Sequence, residues 1–170
     1  MAKNLVESTI RLIQDHIKSN INAALIDVRT ERAEPIVTTE PPQRDSYFIY
    51  ERAVGYKTPA VFIIADNLDM FKAAGPNSVM ALVKVRVSVV VEDVKADHCT
   101  IKAWRYQDAL FEILEQAQIS SNNNDVKIVV IVQGATFSPV FTNDQDAKSA
   151  RNTFRKEVVL DLDVRHFEKA

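Results

Sequence analysis

Residues 80–117 read MALVKVRVSVVVEDVKADHCTIKAWRYQDALFEILEQA. The stretch opens in strict alternation: Ala81, Val83, Val85, Val87, Val89 and Val91 point one way, and Leu82, Lys84, Arg86, Ser88 and Glu92 the other. A period of two over that many residues describes a strand with one face in a core. After a polar turn from Glu92 to His98 the period changes. Ala103, Tyr106, Leu110, Ile113 or Leu114, and Ala117 recur at three and four, the stripe of an amphipathic helix. Asp97 stands where an N-cap is expected. A long strand with a helix folded back on it is the expected nucleus of the domain. Nothing in it has the pattern of an active site.

The rest of the composition sets bounds. A chain of 170 residues is long enough for one domain, here residues 1–170, with a sizeable core. Its 46% apolar and 26% charged residues are those of an ordinary globular protein, and a net charge of -2 supplies no field to draw in nucleic acid. A single cysteine, Cys99, excludes an intrachain disulfide and leaves no zinc constellation, so a reducing compartment is expected. The opening MAKNLVESTIRLIQDH is too polar for a signal peptide, and no apolar run approaches membrane-spanning length. The expectation is a cytosolic chain with no membrane partner.

Outward from the nucleus, Ile10, Ile13, Ile17, Ile21, Ala24 and Val28 share one stripe, which predicts a helix over 3–27 with a candidate kink at Ser19-Asn20. Residues 29–58 carry three prolines and charges of alternating sign, an extended excursion without periodicity. Within it Tyr47, Phe48, Ile49 and Tyr50 follow one another, an expensive group to leave in water. Either they tuck under the domain's own core or they dock on a neighbouring chain, where aromatics are the usual anchors. The apolar run AVFIIADNL after Pro59 reads as a buried strand, and Asp66 to Val79 as a connection turning at Gly75-Pro76. A polar link, Ser120 to Asn124, leads to a third strand over Val126 to Val132. Residues 134–153 read as a long hairpin loop, acidic early at Asp144 and Asp146 and basic later at Lys148 and Arg151.

The last strand, EVVLDLDVRHF, alternates as cleanly as the second: Val158, Leu160, Leu162, Val164 and His166 against Asp161, Asp163 and Arg165. Laid beside the second strand, it brings Asp161 and Asp163 opposite Lys84 and Arg86, pairs of about 0.2–1 kcal/mol each that favour register. The order helix, two strands, helix, two strands predicts an α+β domain. Its expected form is a four-stranded, mainly antiparallel sheet with two helices packed on one face and long loops between strands.

A search for chemistry returns little. Three glycines, Gly55, Gly75 and Gly134, cannot build a phosphate-cradling loop or a dinucleotide fingerprint. His16, His98 and His166 are scattered, with no metal-ligand spacing among them. His98 beside Cys99 is the nearest approach to a base and nucleophile, but adjacent residues at a helix start point apart. Asp161 and Asp163 share a strand face as catalytic carboxylates can, yet the basic residues expected around them make an ion-paired face. No catalytic residue, metal or cofactor is expected.

The valine-rich strand ending in VVVED and leading through KADHCTIKAWRYQDALFEIL resembles the middle of the tail-terminator and tail-completion proteins of long-tailed bacteriophages. In those proteins a strand ending in acidic residues precedes a helix with an aromatic-basic-aromatic start and an Asp-Ala-Leu core. Trp104, Arg105, Tyr106, Asp108, Ala109 and Leu110 stand at those positions. The closing RKEVVLDLDVRHFEK is similar to the final strand of the same group, and the likeness runs from about residue 5 to the C-terminus.

This resemblance implies a virion protein of the tail or neck, assembled in the host cytoplasm. It implies a homo-oligomeric ring, normally a hexamer, that caps the tail tube, stops its polymerisation and joins the tail to the head connector. Its partners are then the tail tube protein and the head-tail connector or head-closure protein. DNA passes through without sequence-specific contacts, and a near-neutral chain suits such a conduit. The residues expected to touch other chains are Tyr47, Phe48, Tyr50, Asp144, Asp146, Lys148 and Arg151. The rival readings are another ring of the same neck, a head-closure or adaptor protein, and a small ligand-binding or enzymatic domain.

Overall fold

The computed structural model describes residues 4–32, 37–50, 55–75, 78–142 and 153–169, with the side chains of 70–75 left aside. Helix α1 spans Leu5–Glu31 and helix α2 Ala96–Leu114. The strands are β1 (Tyr47–Phe48), β2 (Ala60–Gly75), β3 (Ser78–Asp93), β4 (Gln118–Ser120), β5 (Val126–Phe137), β6 (Phe141–Thr142) and β7 (Phe154–Lys169). They form one seven-stranded sheet in the order β1-β2-β3-β7-β5-β4, with β6 also on β7. The sheet is curled, and β1 runs parallel to β2 while the other pairings are antiparallel.

The fold remains α+β, but the expected four-stranded antiparallel sheet is corrected by these pairings. The polar connection after Asp66 is strand: β2 continues to Gly75 and returns at Ser78. The excursion contributes the parallel β1, the polar link contributes β4, and part of the supposed loop after Gly134 is β5 and β6. Each of these pieces is too short, or too interrupted by polar residues, to show a period of two.

Alternation does set the long pairing. β3 and β7 match without a break from Ser78↔Lys169 to Asp93↔Phe154, placing Lys84 opposite Asp163 and Arg86 opposite Asp161. The inward row Val83, Val85, Val87, Val89 and Val91 joins Val158, Leu160, Leu162 and Val164 in one core with both helices. Ile13, Ile17 and Ile21 from α1 and Ala103, Tyr106, Leu110 and Leu114 from α2 close it. α1 passes Ser19-Asn20 unbroken, and each side chain bonds back to a carbonyl one turn earlier, Asp15 O at 2.8 Å and His16 O at 2.8 Å. α2 begins at Ala96 with Lys95 at the N-cap, so Asp97 belongs to its first turn.

Two bulges lie at the same level of the sheet. β2 is irregular between Ala65 and Asn67, beside Val85 and Lys84. β5 is irregular between Val132 and Gly134, beside Leu162 and Asp161. Val85 and Leu162 face each other between them. Bulges bend a strand and increase its local twist, which accords with the curl of the sheet.

Candidate functional site

The aromatic run of the excursion is held by β1. Ser46 N donates to Gln43 O (2.9 Å), and Val61 N donates to Ser46 O (2.8 Å), which sets Tyr47 and Phe48 beside Val61 and Phe62. Successive residues then face opposite ways. Phe48 stacks on Phe62 with centroids 5.1 Å apart and joins Ala60 and Val90 in a second, smaller core. Tyr56 meets Phe62 edge-on at 5.1 Å, and the Arg155 guanidinium lies 5.4 Å from the Tyr56 ring centre. Tyr47 packs against the main core, with the Lys18 ammonium 5.2 Å from its ring centre. Burial pushes the Tyr47 phenol up to about 12. Tyr50 is 56% exposed. Phe48 is thus spent on the chain's own fold, and Tyr50 offers a ring to solvent.

Asp144, Asp146, Lys148 and Arg151 lie outside the described residues. The strands that flank them are paired, Thr142 opposite Phe154 and Phe141 opposite Arg155.

Where β3 gives way to α2, a polar cleft of about 340 Å³ opens, lined by Thr39, Glu40, Thr58, Glu92, Asp93, His98 and Lys102 among others. Its carboxylates are paired from within. Glu92 Oε2 accepts from Arg155 Nε at 2.8 Å, and Asp93 Oδ2 lies 2.6 Å from Lys102 Nζ. Burial opposes ionisation of both acids, and it is outweighed by hydrogen bonds and charge, from Thr153, Arg155 and Thr58 at Glu92 and chiefly from Lys102 at Asp93. Both carboxyls sit below their usual range. His98 Nδ1 is 3.8 Å from Asp93 Oδ1, too far for a hydrogen bond.

Cys99 turns away from this cleft. Its thiol donates to Phe154 O (3.4 Å) and Val91 O (3.6 Å), and burial first, then the Asp93 charge, pushes it up to about 11. A thiol so placed has little of the thiolate that nucleophilic chemistry needs. Among the described residues no three His, Cys, Asp or Glu side chains converge as metal ligands, and no helix is long and apolar enough to cross a membrane.

The aromatic-basic-aromatic start of α2 divides its work. Trp104 is exposed, whereas Arg105 is buried and donates to Val37 O, and the Tyr106 hydroxyl donates to Glu40 O. These two side chains pin the excursion to α2, a role that no spacing in the sequence announces. On the uncovered sheet face, Arg86 reaches across to Asp66 in a bidentate pair, Nε to Oδ2 at 2.7 Å and Nη2 to Oδ1 at 2.8 Å. The β2 bulge that presents Asp66 was not legible in its sequence.

No protein-family model matches this chain, and no curated protein matches it. One similar solved chain belongs to a structure described as the virion of a native gene transfer agent (GTA) particle. It is 13% identical, with 88% of this chain and 97% of that chain covered, and superposes loosely at a TM-score of 0.31.

Proposed function

We propose that this chain is a structural component of a phage-type virion. In this reading it forms a ring, a hexamer, that caps the tail tube, ends its growth and joins the tail to the head connector. The sequence resemblance supplies the specific role. The observation that carries an assembly role is the set of exposed aromatics: Trp104 (47%) and Phe111 (45%) lie two turns apart on α2, Tyr50 (56%) follows β1 and Phe141 (46%) stands on β6. Exposed aromatic side chains are characteristic anchors between chains. The ionisable groups of the cleft support the same reading, because Glu92 and Asp93 are already neutralised by Arg155 and Lys102. We propose no catalytic activity for the chain.

The test is removal of the gene from the genome that produces the particle, followed by electron microscopy of what assembles. Filled heads without tails, accompanied by overlong free tubes, are the expected products. Heads that leak DNA beside tails of normal length would assign the chain to head closure instead. Particles of unchanged form and infectivity would end the virion reading.

A further inference from the structure

The two outer long strands of the sheet each leave a length of backbone edge open. Strand β4 covers β5 only from Lys127 to Val129. Beyond it, Val130 N is taken by Ala117 O (2.9 Å) and Val132 N by Glu115 Oε2 (2.9 Å). From Gln133 to Phe137 nothing among the described residues lies along that edge, and all five residues are exposed. Apart from its chain neighbours, no atom of the described residues comes within 4 Å of where a Cβ on Gly134 would stand. On the opposite side β1 covers β2 only at Val61 and Phe62, which leaves that edge open from Ile63 onward among the described residues.

The chemistry of the β5 edge is that of a strand awaiting a partner. Ser138 N donates to Glu157 O (2.9 Å), so Ser138 turns its backbone groups toward β7. By the alternation of an antiparallel ladder, Thr136 does the same, while Ala135 and Phe137 direct theirs outward. The segment Gln133-Gly134-Ala135-Thr136-Phe137 holds no charge and no proline, two of the devices that keep an exposed edge from pairing, and its bulge lies at the Val132–Gly134 step, ahead of Ala135.

Direction and side chains then select the occupant. Along β2-β3-β7-β5 every neighbour is antiparallel, so β2 and β5 run in opposite directions at the two edges. Two copies set side by side in the same orientation bring β5 of one antiparallel to β2 of the next. Each edge also carries a half-exposed apolar side chain on the helix-bearing face. Leu68 (37% exposed) stands opposite buried Val83, and Phe137 (36% exposed) opposite buried Val158.

We propose that the open edge of β5, Gln133–Phe137, pairs with the open edge of β2 in a second copy of this chain, so that the sheet continues from subunit to subunit head to tail. Such a contact is heterologous and closes into a ring when its rotation allows. The choice of a second copy rests on the ring reading above.

Two substitutions test it by light scattering on the full chain. Ala135→Pro removes an outward N–H and no bond to β7, and Leu68→Lys charges the facing edge. The wild-type chain is expected at a multiple of 19.2 kDa, and each variant alone as a monomer. Mixed, the two variants have one sound edge of each kind and should form a one-to-one heterodimer that grows no further. In the wild-type assembly the Ala135 and Phe137 amides should exchange at least tenfold more slowly than in the monomeric Leu68→Lys chain, and the Phe137 amide also more slowly than in the Ala135→Pro monomer. A ring that survives Ala135→Pro overturns the edge pairing and leaves the ring reading intact. Homodimers of the Leu68→Lys chain overturn the β5-to-β2 pairing in favour of β5 meeting itself. Open filaments that both substitutions abolish uphold the edge pairing and overturn the closed ring. A wild-type chain that stays monomeric at every concentration overturns both.

Discussion

Thr9 Oγ1 lies 2.8 Å from His166 Nδ1, a buried link between the second turn of α1 and the last strand. Thr9 also approaches Leu5 O at 2.9 Å, so both contacts are satisfied when the threonine donates to Leu5 and His166 Nδ1–H donates to the threonine. That arrangement leaves Nε2 bare, 3.6 Å from Glu168 Oε2 and without a hydrogen bond. The first helix and the C-terminal strand are therefore tied through a neutral imidazole.

Burial holds the His166 pKa below its usual value, against the opposing pull of Glu168. The unfolded chain, whose histidines titrate near about 6.5, then binds more protons than the folded one in the window beneath that value. The stability this group contributes is complete above about pH 6.5 and is lost as pH falls toward the depressed folded pKa. Melting temperature should drop between pH 7.5 and pH 5.5, and His166→Phe should flatten that part of the profile. An unchanged slope in the variant would remove His166 as its source.

The excursion hangs on α2 by few bonds, and Tyr106→Phe takes away one of them. The variant keeps the ring, which is fully buried, and deletes the hydroxyl that donates to Glu40 O. A cost of about 0.5–1.5 kcal/mol is expected in urea unfolding, the range for one intramolecular hydrogen bond. Proteolysis within residues 37–46 should quicken at the same time. Equal rates in both proteins would mean that the hydroxyl does not hold this segment.

Two arginine–carboxylate pairs invite a direct comparison. Arg86 and Asp66 are 44% and 38% exposed, whereas Arg155 and Glu92 are 16% and 18% exposed. An exposed pair contributes about 0–1 kcal/mol, so Arg86→Leu should barely move the urea midpoint. Breaking a largely buried pair leaves a charge unpaired, and Arg155→Leu should cost about 3 kcal/mol. The Glu92 carboxyl is held low, so that loss should fade as acid neutralises Glu92, at pH values below the ordinary carboxylate range. Equal costs for the two substitutions at pH 7 would refute the ranking by burial.

The same contrast between ordered and broken patterns explains what was legible in the sequence. Alternation over 80–92 and 157–166 set Asp161 and Asp163 on the face of Lys84 and Arg86 if the two strands were neighbours. The register found, Lys84 opposite Asp163 and Arg86 opposite Asp161, keeps that face, because a slip of one residue would turn a row of valines to solvent. The second half of β2 escaped detection because Asp66, Asn67 and Asp69 interrupt the apolar rhythm and the bulge resets its phase. β1 and β4, of two and three residues, are too short to carry any period. At the aromatic run, spacing left self-packing and docking both open. β1 turns Tyr47 and Phe48 to opposite faces, half-burying the first and burying the second, while Tyr50 lies beyond the strand and is exposed. The open edge of β5 was invisible for a different reason. An edge is defined by what fails to lie beside it, and one strand's residues do not encode that.

Cys99 gives the last prediction. Its side chain is fully buried, its thiol donates to two carbonyls, and its pKa stands at about 11. At pH 8 a thiol at that value is ionised to only about one part in a thousand, and reagents attack the thiolate. Modification by a disulfide reagent should therefore be undetectable on the native chain over minutes and stoichiometric in denaturant. In the native protein the rate should follow the population of opened molecules, rising steeply as urea nears the unfolding midpoint. Rapid stoichiometric labelling in native buffer would show that the join between β3, β7 and the start of α2 opens readily, and would contradict the packing described for it.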